Sequence, residues 1–219
     1  METLQNKPEM KITNIKQQVR DENRVSVYLD GKYSFSLNLT ELLDEKLKVG
    51  LEINEARLKD LQKRSAEGKL RMRSMEWLMN RPHSEREFRD YLRRKQVDGD
   101  YAEYLVSYFK DRKLLNDETY ARWLLGVRVG RLKSSRALRA ELRSKGVNLT
   151  IIDRVISDNP IDELGQIQKI IIKKRRLSRY ADDEKLKQYL VRQGYGYSQV
   201  AEALNAEGSK QHEEYEESQ

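Results

Sequence analysis

Cysteine is absent from the 219 residues, and histidine occurs only twice, as His83 and His212. No disulfide framework and no thiolate metal site can form, which fits a reducing compartment. Two histidines so far apart supply neither a zinc site at ordinary ligand spacing nor the base of a nucleophile–histidine–acid trio. His83, between Pro82 and Ser84, reads as a turn residue. Long apolar runs are also missing. Stretches such as Ile170 to Ile172 fall far short of the roughly 20 residues that span a bilayer. The opening METLQNKPEMK has no apolar segment of a signal peptide, so a soluble cytoplasmic protein is expected. Gly31-Lys32 and Gly68-Lys69 lack the upstream glycine and the following Ser or Thr of a phosphate-binding loop. The acidic run at 182–184 stands at a helix start, where carboxylates cap exposed N–H groups and complement the dipole. The sequence therefore predicts no catalytic residue, no metal, no cofactor, no small-molecule substrate and no membrane partner. A binding protein is expected, not an enzyme.

Charge is abundant. Charged residues make up 36% of the chain and hydrophobic ones 37%, with only three Pro and 11 Gly. Such a composition suits a helical protein with a large wetted surface. Forty-three Lys and Arg against 36 Asp and Glu leave a net charge of +7, which points to an anionic partner, most often nucleic acid.

Residues 1–10 read as a flexible N-terminus. Residues 11–53 differ in texture from everything after them, and 11–66 are expected to form a β-hairpin region with a linking helix. RVSVYLDGKYSFSL alternates Val25, Val27, Leu29 before Asp30-Gly31 and Tyr33, Phe35, Leu37 after it, the pattern of a two-residue hairpin. MKITNIKQQV is placed to supply a third strand. LTELLDEKLKVG predicts a short helix with Thr40 as its cap and Gly50 as its stop, and a long polar helix starts at Asn54, with a break expected near Gly68.

From residue 67 the pattern is helical and repeats at intervals near 50. SEREFRDYLRRKQV at 84–97 and SSRALRAELRSKGV at 134–147 share Ser84/Ser134, Arg86/Arg136, Arg89/Arg139, Leu92/Leu142, Arg93/Arg143, Lys95/Lys145 and Val97/Val147. Leu186, Leu190 and Gly194 follow 48 positions after Leu138, Leu142 and Gly146. Recurring apolar positions at this period mark stacked units. The expected architecture is mainly α: tandem three-helix repeats in an elongated curved array, preceded by a small region containing the β-hairpin. Repeat one is expected over 67–113, repeat two over 114–158 and repeat three over 159–206, with a disordered acidic tail at 207–219.

At about 100° per residue, Phe88, Tyr91 and Leu92 share one helix face, and Arg86, Arg89 and Arg93 the other. Arg136, Arg139 and Arg143 occupy the same positions in the next repeat. Arginine suits planar recognition of phosphate or carboxylate. These six, with Lys95, Lys145 and the run Lys173, Lys174, Arg175 and Arg176, are the candidate contacts to partner or DNA; a merely solvated face is the alternative. Repeat three departs from the stripe, with Glu184, Lys187 and Val191 at the equivalent positions. The third helices, NLTIIDRVISD and DYAEYLVSYFKD, carry few donors and read as packing helices, which argues against a groove-reading helix-turn-helix.

The same residues carry a family resemblance. Arg81, Pro82 and Ser84, then Leu115, Asp117, Tyr120 and Ala121, then Leu138, Leu142, Lys145 and Gly146 follow in order the motifs of the RecX family of recombination regulators. YLVRQGYGYSQVAEAL is similar to that family's C-terminal element. The resemblance covers roughly 67–205, and the hairpin is similar to an extension seen in some members. Gln96 departs from the pattern where Gly is expected, so that helix end is expected to lack a left-handed cap, and Ser134 stands where Gly is common. The resemblance implies a regulator that binds the RecA recombinase, chiefly its filament on single-stranded DNA, and inhibits or modulates filament extension and the recombinase and coprotease activities, with some affinity for DNA. A general phosphate-contacting nucleic-acid binder is the alternative, and a repeat adaptor for another protein a third.

Overall fold

The computed structural model describes residues 9–19 and 21–216, with side chains described as far as Glu207. The chain divides into two compact units between Asn80 and Arg81.

The first unit is a four-stranded antiparallel sheet with two helices. β1 (Met10–Gln18), β2 (Asp21–Leu29) and β3 (Lys32–Asn38) form a meander, and the short β4 (Glu52–Ile53) pairs with Met10 and Lys11, giving the order β3-β2-β1-β4. Asp30 and Gly31 take φ of +46° and +79°, the conformation a two-residue hairpin turn requires. MKITNIKQQ is the expected third strand. Val25, Val27, Leu29, Phe35 and Leu37 are buried with Ile12, Ile53 and Leu61, whereas Tyr33 stays exposed at the hairpin end.

Three local expectations are corrected here. Helix α1 (Leu39–Asp44) is capped by Asn38, not Thr40: the Asn38 side chain accepts from the Glu41 N–H, and the Glu41 carboxylate accepts from the Asn38 N–H. The helix ends at Glu45, well before Gly50, and Lys46 turns the chain with φ of +50°. Helix α2 (Glu55–Asn80) runs unbroken through Gly68. The Glu41 carboxylate lies so close to Gly68 that an added Cβ would sit 3.0 Å from its Oε1, so glycine serves close approach there and not a break.

The second unit is helical: α3 (Glu85–Arg94), α4 (Gly99–Asp111), α5 (Asp117–Val129), α6 (Ser135–Ser144), α7 (Leu149–Asp158), α8 (Glu163–Arg175), a 3-10 turn (Ser178–Tyr180), α9 (Asp183–Arg192) and α10 (Tyr197–Glu216). The helix expected at 69–80 is the C-terminal part of α2. Helices α5–α6–α7 enclose one core, of Tyr120, Ala121, Leu124, Leu142, Val147, Ile152 and Val155. Helices α8–α9–α10 enclose a second, of Ile167, Ile171, Leu186, Leu190, Tyr195 and Val200. Each of these two cores is enclosed by three consecutive helices. Leu105, Val106 and Phe109 of α4, like Ile152, Val155 and Ile156 of α7, are buried, as packing helices require. Helix α10 continues to Glu216 through the segment expected to be a disordered tail; residues 217–219 lie outside the described residues. Among the described residues, no helix is long and apolar enough to cross a membrane, and no group of carboxylates or histidines could hold a metal ion.

Candidate partner-binding surface

Helices α3 and α6 carry the two arginine stripes, and both start in the same way. Ser84 and Ser134 are fully buried N-caps whose hydroxyls accept from the N–H of Glu87 and Ala137. Each hydroxyl also donates to the carbonyl that ends the middle helix of the following unit: Ser84 Oγ to Lys145 O at 2.8 Å, and Ser134 Oγ to Gln193 O at 2.9 Å. A second tie repeats beside it. The Glu85 N–H donates to Asp117 Oδ1 at 2.8 Å, and the Ser135 N–H to Glu163 Oε1 at 2.7 Å. One unit's helix N-terminus is thus fastened to the next by a hydroxyl and a carboxylate. Gly146 completes the joint. Its φ is +81°, and a Cβ there would lie 2.9 Å from Arg86 Cβ, so the aliphatic stem of Arg86 rests on the glycine.

The stripe columns divide into different kinds of contact. The middle column is engaged inside each unit: Arg89 pairs with Glu85 and with Glu103 of α4, and Arg139 pairs with Asp153 of α7, in each case 14 residues on. Hydrogen bonds from Arg89 to Glu103 and Glu85 raise its pKa above the ordinary guanidinium value. The outer columns face solvent. Arg86, Arg93, Arg136 and Arg143 are all exposed. Arg93 pairs with Asp90 on its own helix, and among the described residues Arg86, Arg136 and Arg143 pair with no carboxylate. Arg139 and Arg143 also flank a shallow groove floored by Ala140, Leu149 and Ile152.

The two lysines separate. Lys95 is exposed, its ammonium 5.9 Å from the Tyr91 ring centre. Lys145 reaches back across the joint to Glu87 Oε1 at 3.0 Å. Glu87 also accepts from Arg81 at 3.0 Å and lies 3.2 Å from Nδ1 of His83, which is 4% exposed. Burial alone would raise the Glu87 carboxyl, but the hydrogen bonds from His83, Arg81 and Lys145 outweigh it and hold the pKa far below the usual carboxylate range. Burial, with the Glu87 charge nearby, pushes the Tyr120 phenol up to about 12. Sequence reasoning missed this cluster. His83, read from the sequence as a turn residue, lies in the connection before α3, buried and facing a carboxylate. At the next joint Ala137 replaces Glu87 and Gln193 replaces Lys145, so both charges of the pair disappear together.

The basic run at the end of α8 also splits. Arg175 turns inward: it pairs with Asp183 and, at 3.1 Å, with Glu207, and it donates to the carbonyls of Tyr180 and Ala181. Lys173 and Arg176 are exposed, and Lys174 lies over the rings of Tyr180 and Tyr189.

Comparison with known proteins agrees with this architecture over most of the chain. The family model described as the regulatory protein RecX N-terminal domain matches residues 10–54, the sheet and the connection into α2. A crystal structure of regulatory protein RecX superposes with a TM-score of 0.68 over 90% of this chain and 99% of its own, at 23% identity. That of RecX from Lactobacillus salivarius superposes with a TM-score of 0.56 over 64% of this chain and 95% of its own, at 20% identity. These two establish the likeness of fold. Regulatory protein RecX of Clostridium botulinum is 30% identical over 210 residues, 90% of this chain and 98% of its own. Regulatory protein RecX of Bacillus pumilus is 30% identical over 212 residues, 94% of this chain and 81% of its own, and on that likeness the chain belongs to the RecX family, a family of regulatory proteins and not of enzymes.

Proposed function

We propose that this chain binds the RecA recombinase, chiefly as its filament on single-stranded DNA, and restrains filament extension and the activities that depend on it. Membership of a family of regulatory proteins carries the reading. The physical support is the exposed outer columns. Arg86 and Arg136 start helices in consecutive units that are joined by the Ser84–Lys145 and Glu85–Asp117 hydrogen bonds, which favour a fixed spacing of the two stripes. A ligand that meets both profits from a high effective concentration at the second contact. The contacts we assign to the partner are Arg86, Arg93, Arg136 and Arg143, with Lys95 beside them. Arg89, Arg139 and Lys145 hold the surface in shape.

The test is a single-stranded-DNA-dependent RecA ATPase assay. The parent protein is expected to lower the rate. Arg86→Ala, Arg93→Ala, Arg136→Ala and Arg143→Ala combined should abolish that effect while leaving the melting temperature near the parent's, because these head groups are exposed. Parent protein without effect on RecA would overturn the function, and a folded quadruple variant that inhibits like the parent would overturn the assignment of the surface.

A further inference from the structure

We propose that the corner formed by the last turn of α8 and the 3-10 turn after it is a binding site for the phosphate backbone of a single-stranded polynucleotide, contacted by Lys173, Lys174, Arg176 and Arg179. This site is separate from the arginine stripes and works without RecA.

The corner concentrates cations that nothing on the described surface neutralises. Among the described residues, none of the four pairs with a carboxylate. The nearby acids are already engaged. Asp182 caps the Glu184 N–H and faces Lys185, Asp183 pairs with Arg175, and Glu184 pairs with Lys187. A helix C-terminus presents about half an elementary negative charge, which one or two cations offset. Four like charges within seven residues exceed that and repel one another, an arrangement that a polyanion would relieve.

The cations are also held in place by neutral partners. Tyr180 and Tyr189 stand 5.3 Å apart, and the Lys174 ammonium lies 4.6 Å from the Tyr189 centre and 5.2 Å from the Tyr180 centre. The Arg179 guanidinium lies 5.6 Å from the Tyr180 centre. A ring orients a cation without cancelling its charge, so the head group remains available to a phosphate. Arg175 fixes the turn that carries them, through its bonds to the Tyr180 and Ala181 carbonyls. Leu177, 50% exposed between Arg176 and Arg179 in the chain, offers an apolar contact to an unstacked base. A duplex hides its base faces, which is why the single strand is the assigned ligand.

Fluorescence anisotropy with a labelled oligo(dT), without RecA, tests this. Lys173→Ala, Arg176→Ala and Arg179→Ala combined should weaken binding about tenfold or more near 0.1 M salt. Removing three phosphate contacts should also make the log–log salt dependence shallower by about 2, at roughly 0.7 per contact. A Lys59→Ala, Lys63→Ala variant, which removes two exposed cations of α2 assigned to no polynucleotide contact, should bind the oligonucleotide like the parent. Leu177→Ser should weaken oligo(dT) binding several-fold and leave binding to a duplex of the same length unchanged. The corresponding Gln triple variant repeats the measurement should the Ala variant lose helix by circular dichroism. A folded triple variant with parental affinity and slope overturns the site. So does one that keeps its DNA affinity but loses the effect on RecA, because the corner would then be a protein-docking surface. Equal loss on single strand and duplex in Leu177→Ser overturns the single-strand assignment. Because no RecA is present in the binding measurement, its outcome is independent of the function proposed above.

Discussion

At the scale of single residues, one hydroxyl performs two tasks. Ser134 Oγ caps its own helix and donates to the carbonyl of Gln193 in the next unit, in a site with no exposure to solvent. Ser134→Ala leaves both the Ala137 N–H and that carbonyl without a partner. A lost cap costs about 0.5–2 kcal/mol, and an orphaned buried acceptor a further ~1–3 kcal/mol. Urea unfolding should therefore show a loss of about 2 kcal/mol or more for Ser134→Ala and for Ser84→Ala alike, against a loss within about 0.5 kcal/mol for an exposed serine such as Ser198. Serine recurs at these positions for that reason, and its identity in both repeats was visible in the sequence. Its acceptors, about sixty residues on, were not, because nothing local distinguishes a cap serine that touches a second unit from one that meets water. The middle arginines show the same limit: the stripe was legible from helical periodicity, whereas the carboxylates at 103 and 153 that occupy Arg89 and Arg139 depend on how one helix packs on another.

Gln96 tests the reading of helix ends. Its φ is +53°, so the left-handed cap forms without the glycine that Gly146 and Gly194 supply, contrary to the expectation drawn from the departure at this position. Local geometry wins because the Val97 N–H still has to reach the Leu92 carbonyl, as the Val147 and Tyr195 N–H groups reach those of Leu142 and Leu190. A side chain is strained there, by roughly 1 kcal/mol. Gln96→Gly should raise stability by several tenths to about 1 kcal/mol, measured by thermal or urea unfolding, and Gly146→Ala should lower it by more, because the new methyl would also meet the stem of Arg86.

Glu87 makes stability depend on pH. Its carboxyl has a folded pKa held below the 4.5 of an unperturbed glutamate. The unfolded state therefore takes up the proton first, so the contribution of Glu87 is present above pH 4.5 and is lost as pH falls through the folded value. Unfolding free energies measured between pH 6 and pH 3 should decline less steeply for Glu87→Gln than for the parent; parallel curves would show that the charge contributes nothing to the joint.

At the scale of elements, the apolar face decides. Leu92 and Leu142 are 1% and 0% exposed, and with Leu190 they occupy one position in successive units. Leu142→Ala should cost about 2–5 kcal/mol, and Leu92→Ala the same, as buried leucine truncations do. A loss below about 1 kcal/mol in either would mean that the site collapses around the missing methyls. The order and number of these helices could be read because i, i+3, i+4 apolar spacing persists through each of them. The sheet could be read because Asp-Gly separates two alternating runs. What failed was at element ends. Thr40 and Asn38 are both cap residues by type, and only Glu41, three residues after Asn38, selects between them through the reciprocal bond. Gly68 reads as a break in the sequence because the side chain packed closely against it, that of Glu41, comes from another helix.

At the scale of the whole molecule, charge is distributed unevenly along the chain. The segment after Glu207 adds Glu213, Glu214, Glu216 and Glu217 against a single lysine, Lys210. Its starting point is fixed: the Glu207 carboxylate lies 3.1 Å from the Arg175 guanidinium, next to the basic corner at the end of α8. The acidic residues that follow on α10 add a negative field beside that corner, which weakens its attraction for a polynucleotide. A chain ending at Glu207 should therefore bind oligo(dT) several-fold tighter than the full chain at about 50 mM salt. The difference should shrink toward zero near 0.5 M, where the screening length falls to roughly 4–5 Å. Its melting temperature should stay within about a degree of the parent's, because the Arg175–Glu207 pair is kept. A chain ending at Ala206 would lose that pair and leave Arg175 bound to Asp183 alone, so it separates the structural use of Glu207 from the electrostatic use of the acidic residues beyond it. Equal affinities for the full chain and the one ending at Glu207 at low salt would show that the acidic segment does not screen the corner.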